Sequence, residues 1–368
     1  MLRLLIVSYY QTSVENQTTV RSFNLTRIKG DLVMKLLNNA VIRLTKNRKP
    51  AYDPENELMW DRTYNSSSWF VIGHFEAEGH KLNYLYHQMV WQDKDGSLKL
   101  NSVIGVTDET TGEYLGEDKF YPMDQTKFAE DHFGIIVPNG SMEGDLRNMR
   151  VTAFMEHASL DLELEFEDGI IMNGGAGEFS IAVIGVKQYS KPRIKPTGTL
   201  VLNGKTYPIS GDAWFDRQWQ KVPTQKSKTG EGSDDPVTGG TINWYWMDLN
   251  MDNGDKLSLW CVEIAKITRA WATVLHADGT NKVVDVTPFT QFKAKKWYSQ
   301  ASGQNYPIEF TVEIKDLDAK LYVAPYPVEQ EIVSEHISKY EAASQVKGTY
   351  LGKPATGFCY VELVGGFK

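Results

Sequence analysis

Cysteine is almost missing from this chain: Cys261 and Cys359 are the only two in 368 residues, too few and too far apart for a disulfide framework or a thiolate metal site. Blocks of lysine and arginine are also missing, and the formal net charge is −8. Phosphate binding needs clustered cations, so no nucleic-acid partner is expected. No apolar run reaches the length of a bilayer-spanning helix. In the N-terminal MLRLLIVSYYQTS the uninterrupted apolar stretch from Leu4 to Val7 falls short of a signal-peptide core. A soluble, cytoplasmic protein is the expectation, with a secreted or periplasmic one the alternative if the N-terminus is trimmed. Gly-rich phosphate loops, a GxSxG elbow and a Cys/His pair are absent, which removes the machinery of nucleotide-dependent enzymes and of nucleophilic hydrolases. Neither a cofactor nor a metal is expected. His74, Glu76, Glu78, His80 and His87 crowd together, but their spacing on a hairpin matches no ligand motif, and His74 and His80 read as accessible.

Helical periodicity is scarce. The best case is Asp31 to Leu44, where Asp31 would cap and Leu32, Leu36, Leu37 and Ile42 would pack inward. What the chain has instead is aromatic rings, 12% of its residues including 10 Trp and 18 Tyr, and recurrent hairpin signals. Turn dipeptides stand at Asp95-Gly96, Asn139-Gly140, Asn203-Gly204, Asn253-Gly254 and Asp278-Gly279. Around Asn253-Gly254 the alternation places Trp244, Trp246 and Asp248 on one face of a strand and Tyr245 and Met247 on the other. Trp69 to Phe75 and Leu82 to Trp91 flank a second turn at Glu78-Gly79-His80, with Leu82, Tyr84, Tyr86 and Gln88 on one side. Many short strands, little helix and this length predict an all-β fold of two tandem antiparallel barrels. The expected division is an N-terminal arm at 1–45, a first barrel at 46–222, a flexible linker or lid at 223–237, and a second barrel at 238–368. The stretch KVPTQKSKTGEGSDDPVTGG has almost nothing to bury and places the linker.

Several phrases occur in an order that resembles the carotenoid hydratase and AttH-type lipocalin-like family: NGGAGEFS at 173–180, QYSKPR at 188–193, GTLVLNGKTYPISGDAWFDRQWQ at 198–220 and NWYWMDLNMDNGDKLSLW at 243–260. KKWYSQASGQNYPIEFTVEI at 295–314, PVEQE at 327–331 and KYEAASQVKGTYLGKPATGFCYVELVGGF at 339–367 continue it. The similarity runs from about residue 65 to 368, and WFDRQW is its most specific piece. The resemblance implies two lipocalin-like barrels in tandem and a hydrophobic, isoprenoid- or polyketide-like small-molecule substrate. Family members add water to isolated double bonds, hydrate a phytoalexin, or steer intramolecular cycloadditions of polyenes.

Hydrating an unactivated alkene needs a strong proton donor, an aromatic wall for the cation and a base that delivers water. Asp216 in WFDRQW is the candidate acid, because burial favours the neutral carboxyl. Trp214 and Trp219 flank it, with Arg217 adjacent; the alternative is an Asp216–Arg217 ion pair locking the two barrels. In the carotenoid hydratases the matching phrase carries His after the Asp, and that His with the Trp two residues on belongs to the acid/base site. Arg217 stands at the His position and cannot exchange protons at working pH, while Trp219 matches. Where those hydratases place a Tyr and an Asp near the start of the second domain, this chain offers Trp244 and Trp246. Asp248, two residues on along the same face, is a substitute acid or a hairpin-edge carboxylate. Glu178, Tyr189 and His157 are candidate pocket residues, each with a structural hydrogen-bonding role as the alternative. The expected function is a cofactor-independent lyase or isomerase hydrating or dehydrating a C=C bond of a hydrophobic substrate, with catalytic Asp216, Arg217 and Trp219. The alternatives are a pericyclase in the same pocket, with Arg217 or Tyr189 polarising a carbonyl, and a non-catalytic carrier of apolar ligands.

Overall fold

The computed structural model describes residues 39–93, 95–222, 242–264, 267–289 and 294–367. The expected linker 223–237 and residues 31–38 of the expected helix lie outside them. Residues Ile42–Leu44, at the end of that helical pattern, are instead a β-strand paired antiparallel with Glu178–Ile181, and Ile42 is fully buried. Its side chain finds an apolar partner across a sheet, and tertiary packing overrides the local period.

The described residues are nearly all β. One sheet has 15 strands and a second has nine. In the first, the hydrogen-bonded path runs from Glu113–Pro122 through Leu98–Asp108, His80–Gln92, Ser66–Ala77, Asp212–Gln220, Ile184–Leu202, Ala158–Phe166, Asn148–Met155, Gly140–Gly144 and Phe133–Val137 to Lys127–Phe128. The two ends of that path are nearly consecutive in the chain, joined through the 3-10 turn Met123–Gln125, so the sheet has to curl. In the second, the path runs from Asn281–Val286 through Ile267–Leu275, Lys256–Ile264, Ile242–Met251, Lys353–Val364, Lys339–Tyr350 and Ala319–Pro325 to Phe310–Ile314. There the Thr287 amide donates to the Glu313 carbonyl at 2.8 Å and links the two ends.

Hairpin chemistry sets the registers. Glu78 and Gly79 both have positive φ, 51° and 82°, as a two-residue primed turn requires, and Ala77 faces His80 across it. The 19-residue strand Ile184–Leu202 changes register against Asp212–Gln220 between Lys191 and Ile194. Pro192 sits inside that irregularity and has no N–H to give a ladder.

Each sheet wraps an apolar core. Trp69, Val71, Tyr84, Tyr86, Ile104 and Phe215 belong to the first, and Tyr245, Met247, Leu259, Val323 and Leu363 to the second. A third cluster takes residues from both sheets: Phe70, Ile72, Leu85, Val103, Val186 and Trp214 from one, Trp246, Trp260, Val262, Trp271 and Tyr360 from the other. The two curled sheets therefore meet through their outer faces over a shared seam. No helix among the described residues is long and apolar enough to cross a membrane.

Candidate active site at the seam

Successive side chains of a strand point to opposite faces, and the strand Asp212–Gln220 shows the consequence. Ala213, Phe215 and Trp219 belong to the first core, whereas Trp214 belongs to the seam. Asp216 follows Trp214 into the seam, and Arg217 turns the other way. The Asp216–Arg217 ion pair expected as an alternative is therefore not formed. Arg217 donates to the backbone carbonyls of Glu57 (3.0 Å), Met59 (3.1 Å), Ser68 (3.3 Å) and Gln218 (3.0 Å). Its guanidinium lies 4.3 Å from the Trp69 ring centroid and 4.7 Å from that of Trp219. Tyr189, opposite Arg217 in register, also points into the first core and packs edge-on against Trp219. The residues of WFDRQW thus serve two compartments.

Asp216 is 5% exposed. Trp214 Nε1 donates to its Oδ1 at 2.7 Å and Gln188 Nε2 to its Oδ2 at 2.6 Å; Ser190, its register partner, adds a third hydrogen bond. Gln188 is held in turn by Trp260 of the second sheet, whose Nε1 donates to Gln188 Oε1 at 3.0 Å. Burial pushes the Asp216 carboxyl up to about 7, while the Ser190, Trp214 and Gln188 donors pull it back toward the anion and Glu362 opposes ionisation. A carboxyl balanced in this way has the property a general acid or base at neutral pH requires.

Indole rings surround this carboxyl. Trp246 lies 6.0 Å from Trp214 and 5.7 Å from Phe70, both edge-to-face, and its Nε1 donates to Ser258 at 3.0 Å. Trp260 and Trp271 stack in parallel at 6.1 Å. Trp244, half-buried, donates from Nε1 to Glu362 Oε1 at 2.8 Å. Asp248 is fully buried and accepts from the Tyr360 amide and from Asn250 Nδ2. Burial first, then the Asp216 charge, hold its carboxyl well above the usual range, against the Tyr360 amide, Asn250 and Lys256.

Several buried polar atoms facing the seam have no hydrogen-bond partner among the described residues: His87 Nδ1, His74 Nε2, Asn173 Oδ1 and Trp271 Nε1, and leaving such groups unpaired is costly. His74 and His80 do not behave alike. His74 packs on Phe358 of the second sheet at 4.2 Å, and burial holds its pKa down to about 3; it is not the accessible turn residue its position in sequence suggests. His80 pairs with Asp108 at 2.7 Å. His157 is a correction too: Met155 pairs with Ala158, so Glu156 and His157 form the exposed tip of a hairpin and His157 does not lie on a strand facing the interior. Glu178 is half-buried opposite Lys187 on a short strand near Tyr52.

Sequence reasoning missed Gln188, Ser190 and Glu341, weighed His87 only as a metal ligand, and read Glu362 in CYVEL only as a polar residue of a barrel wall. Gln188 and Ser190 flank the noted Tyr189, and strand alternation alone puts them on the opposite face from it. Glu341, and the place of His87 and Glu362 at the seam, became visible only once the outer faces of the two sheets were known to meet.

A buried carboxyl beside tryptophan at the seam of two curled antiparallel sheets sits in a protein of the tandem lipocalin-like β-barrel class. The chain belongs to the AttH-like family, which it matches over residues 62–366. It is 28% identical over 238 residues to the dehydratase asqC of Emericella nidulans, covering 61% of this chain and 63% of that protein. It is 23% identical over 229 residues to the kievitone hydratase of Fusarium solani subsp. phaseoli, covering 60% and 61%. The chain thus spans less than two thirds of the length of these curated relatives. The crystal structure of kievitone hydratase from Nectria haematococca shares its fold, with a TM-score of 0.72 at 18% identity over 88% of this chain and 95% of that one.

Proposed function

We propose that this protein is an enzyme that adds water to, or removes it from, a carbon–carbon double bond of an apolar small molecule at the seam. Asp216 is the proton-exchanging acid, and Trp214 and Trp246 are the rings against which positive charge develops. The observation that carries the reading is the placement of Asp216. It is a carboxyl poised near neutral pH, hydrogen-bonded on both oxygens and walled by indole. In the hydration direction the neutral carboxyl protonates the alkene; in dehydration the carboxylate takes a proton from carbon. The three donors stabilise the anion left behind. An indole face near a developing cation contributes about 1–2 kcal/mol when desolvated. A dehydratase and a hydratase among the relatives support the same chemistry.

Incubation with kievitone, other prenylated phenols, terpenoids and polyenes, followed by mass spectrometry, tests this. The expected product gains or loses one water, and Asp216→Asn lowers turnover by roughly 100-fold or more, as loss of a general acid does. An isobaric cyclised product would point to a cyclase, and a ligand bound and returned unaltered to a carrier.

A further inference from the structure

Resting on that reading of the seam, we propose that Glu341 and Glu362 form a second proton-exchanging pole, a carboxyl pair that handles the oxygen of water while Asp216 handles carbon. The strands Lys339–Tyr350 and Lys353–Val364 set Glu341 directly opposite Glu362, and the next strand sets Glu362 opposite Trp246. The pair therefore lies one strand beyond the ring that packs on Trp214 and Phe70. Directly opposed residues of an antiparallel ladder have Cβ atoms roughly 5 Å apart, a separation at which the charge of one carboxyl disfavours ionisation of a buried neighbour and a proton is shared between them.

A buried carboxylate with a purely structural task looks different in this same protein. Glu331 is enclosed by hydroxyls of Ser299, Ser302 and Tyr306. Glu341, 2% exposed, has no hydroxyl, amide or indole donor among the described residues, and its one side-chain hydrogen-bonding neighbour is Glu362. Glu362 is engaged on Oε1 by Trp244. Across the seam His87, 5% exposed, bonds Ser68 through Nε2 at 2.7 Å and leaves Nδ1 unpartnered. The charged and titratable groups around Glu341 are Glu362, Lys339 on its own strand, Tyr360, Tyr306 from Asn305–Pro307, and Tyr114 from Glu113–Pro122. Lys339 also acts on His87, and Glu362 on Asp216, which ties the pair to the rest of the seam. Burial first, then Glu362, holds the Glu341 carboxyl well above its ordinary range.

In hydration, the Asp216 carboxyl gives its proton to one alkene carbon as the π pair becomes a C–H bond. Water then bonds to the cation beside the indoles, and its surplus proton passes to the ionised member of the glutamate pair. The alkene has gained one H and one OH, Asp216 is ionised and the pair has one more proton, which returns to Asp216 through solvent. Dehydration runs the same steps backward, with the pair protonating the leaving hydroxyl.

Two measurements on the full chain test the pair. The first is a pH titration of carbon-13-labelled glutamate carboxyls in wild type, Glu341→Gln and Glu362→Gln. The second is turnover of kievitone and prenylated phenols across pH. Glu341 is expected to titrate above the ordinary carboxylate range in wild type and to move back toward it in Glu362→Gln. Glu341→Gln is expected to lower kcat roughly 100-fold with KM changed less than about threefold, and to shift a limb of the pH profile. Glu362→Gln, at the half-buried member, is expected to shift the same limb and serves if Glu341→Gln does not fold. Independent, ordinary titrations would overturn the pair. So would Glu341→Gln turning over like wild type while Asp216→Asn is inactive, an outcome that leaves the hydratase reading standing. Wild type that produces no water-sized mass change from these probes removes that reading and, with it, the role given to the pair.

Discussion

Asp216 and Arg217 are neighbours in the chain, but the pleat sends them into different compartments, and their substitution should separate chemistry from architecture. Burial raises the Asp216 carboxyl from 3.8 to about 7, so the folded state holds this proton more tightly than the unfolded chain. The resulting cost is absent below about 4, grows as pH rises toward 7, and is then constant at roughly 4 kcal/mol. Asp216→Asn keeps the shape and removes the titration. Its stability relative to wild type should therefore improve between pH 4.5 and pH 8, by on the order of a few kcal/mol, which urea midpoints at several pH values read directly. A pH-independent difference would mean that Asp216 does not titrate in this window. Arg217 should behave in the opposite way. Its bonds to four backbone carbonyls and its place between two indoles make Arg217→Met cost about 3 kcal/mol or more, while kcat of the folded fraction stays near wild type. A selective fall in kcat without loss of stability would return Arg217 to the catalytic role its position beside Asp216 suggests. WFDRQW stood out in the sequence as the most specific family-like phrase, but its division between two faces follows from alternation along a strand and needed only the face of one member to be fixed.

At the level of elements, the sequence was most legible where turns carry their own chemistry. Asn203-Gly204 and Glu78-Gly79 close hairpins with both residues at positive φ, and the faces assigned to Trp244–Asp248 and to Leu82–Gln88 are those observed. It was less legible where an alternating run crosses a turn without glycine. Glu156-His157 interrupts such a run, and His157 was accordingly placed on a strand. One close approach was invisible in the sequence altogether. Gly73 pairs with Tyr84 across two strands of the first sheet, and the Tyr84 ring covers it so closely that a Cβ there would meet Tyr84 Cζ at 2.2 Å. Tyr84 is fully buried and has no room to withdraw. Gly73→Ala should then cost about 1–3 kcal/mol through overpacking, seen as a lower urea midpoint at unchanged m-value. The double variant Gly73→Ala/Tyr84→Phe should recover little, because the clash involves ring carbons as well as the hydroxyl.

The seam belongs to the whole molecule, and Glu341 and the way the seam's residues come together could be recognised only from the meeting of two sheets. Glu341 lies in the C-terminal half, 125 positions after Asp216 in the chain, and nothing local marks its side chain as facing the first sheet. What joins the halves is more than apolar contact. Trp260 donates to Gln188, Thr107 to Gln330 at 2.7 Å, the Gly174 amide to Thr273 at 3.0 Å, and Arg193 to the His276 carbonyl at 2.8 Å. Separating the sheets would expose Trp214, Trp246, Trp260, Trp271, Phe70 and Val262 to water together, at about 1.5–3 kcal/mol for each large apolar side chain, and would strip those hydrogen bonds of their partners. Each half therefore depends on the other for burial of its outer face. Calorimetric unfolding of the full chain should give one cooperative transition with equal calorimetric and van't Hoff enthalpies, although each sheet has its own core. Trp260→Ala removes both the stacked ring and the Gln188 bond, and should lower the single Tm by several degrees. Two resolved transitions in the wild type would show that the halves fold independently, and that the polar groups of the seam are assembled only after folding is complete.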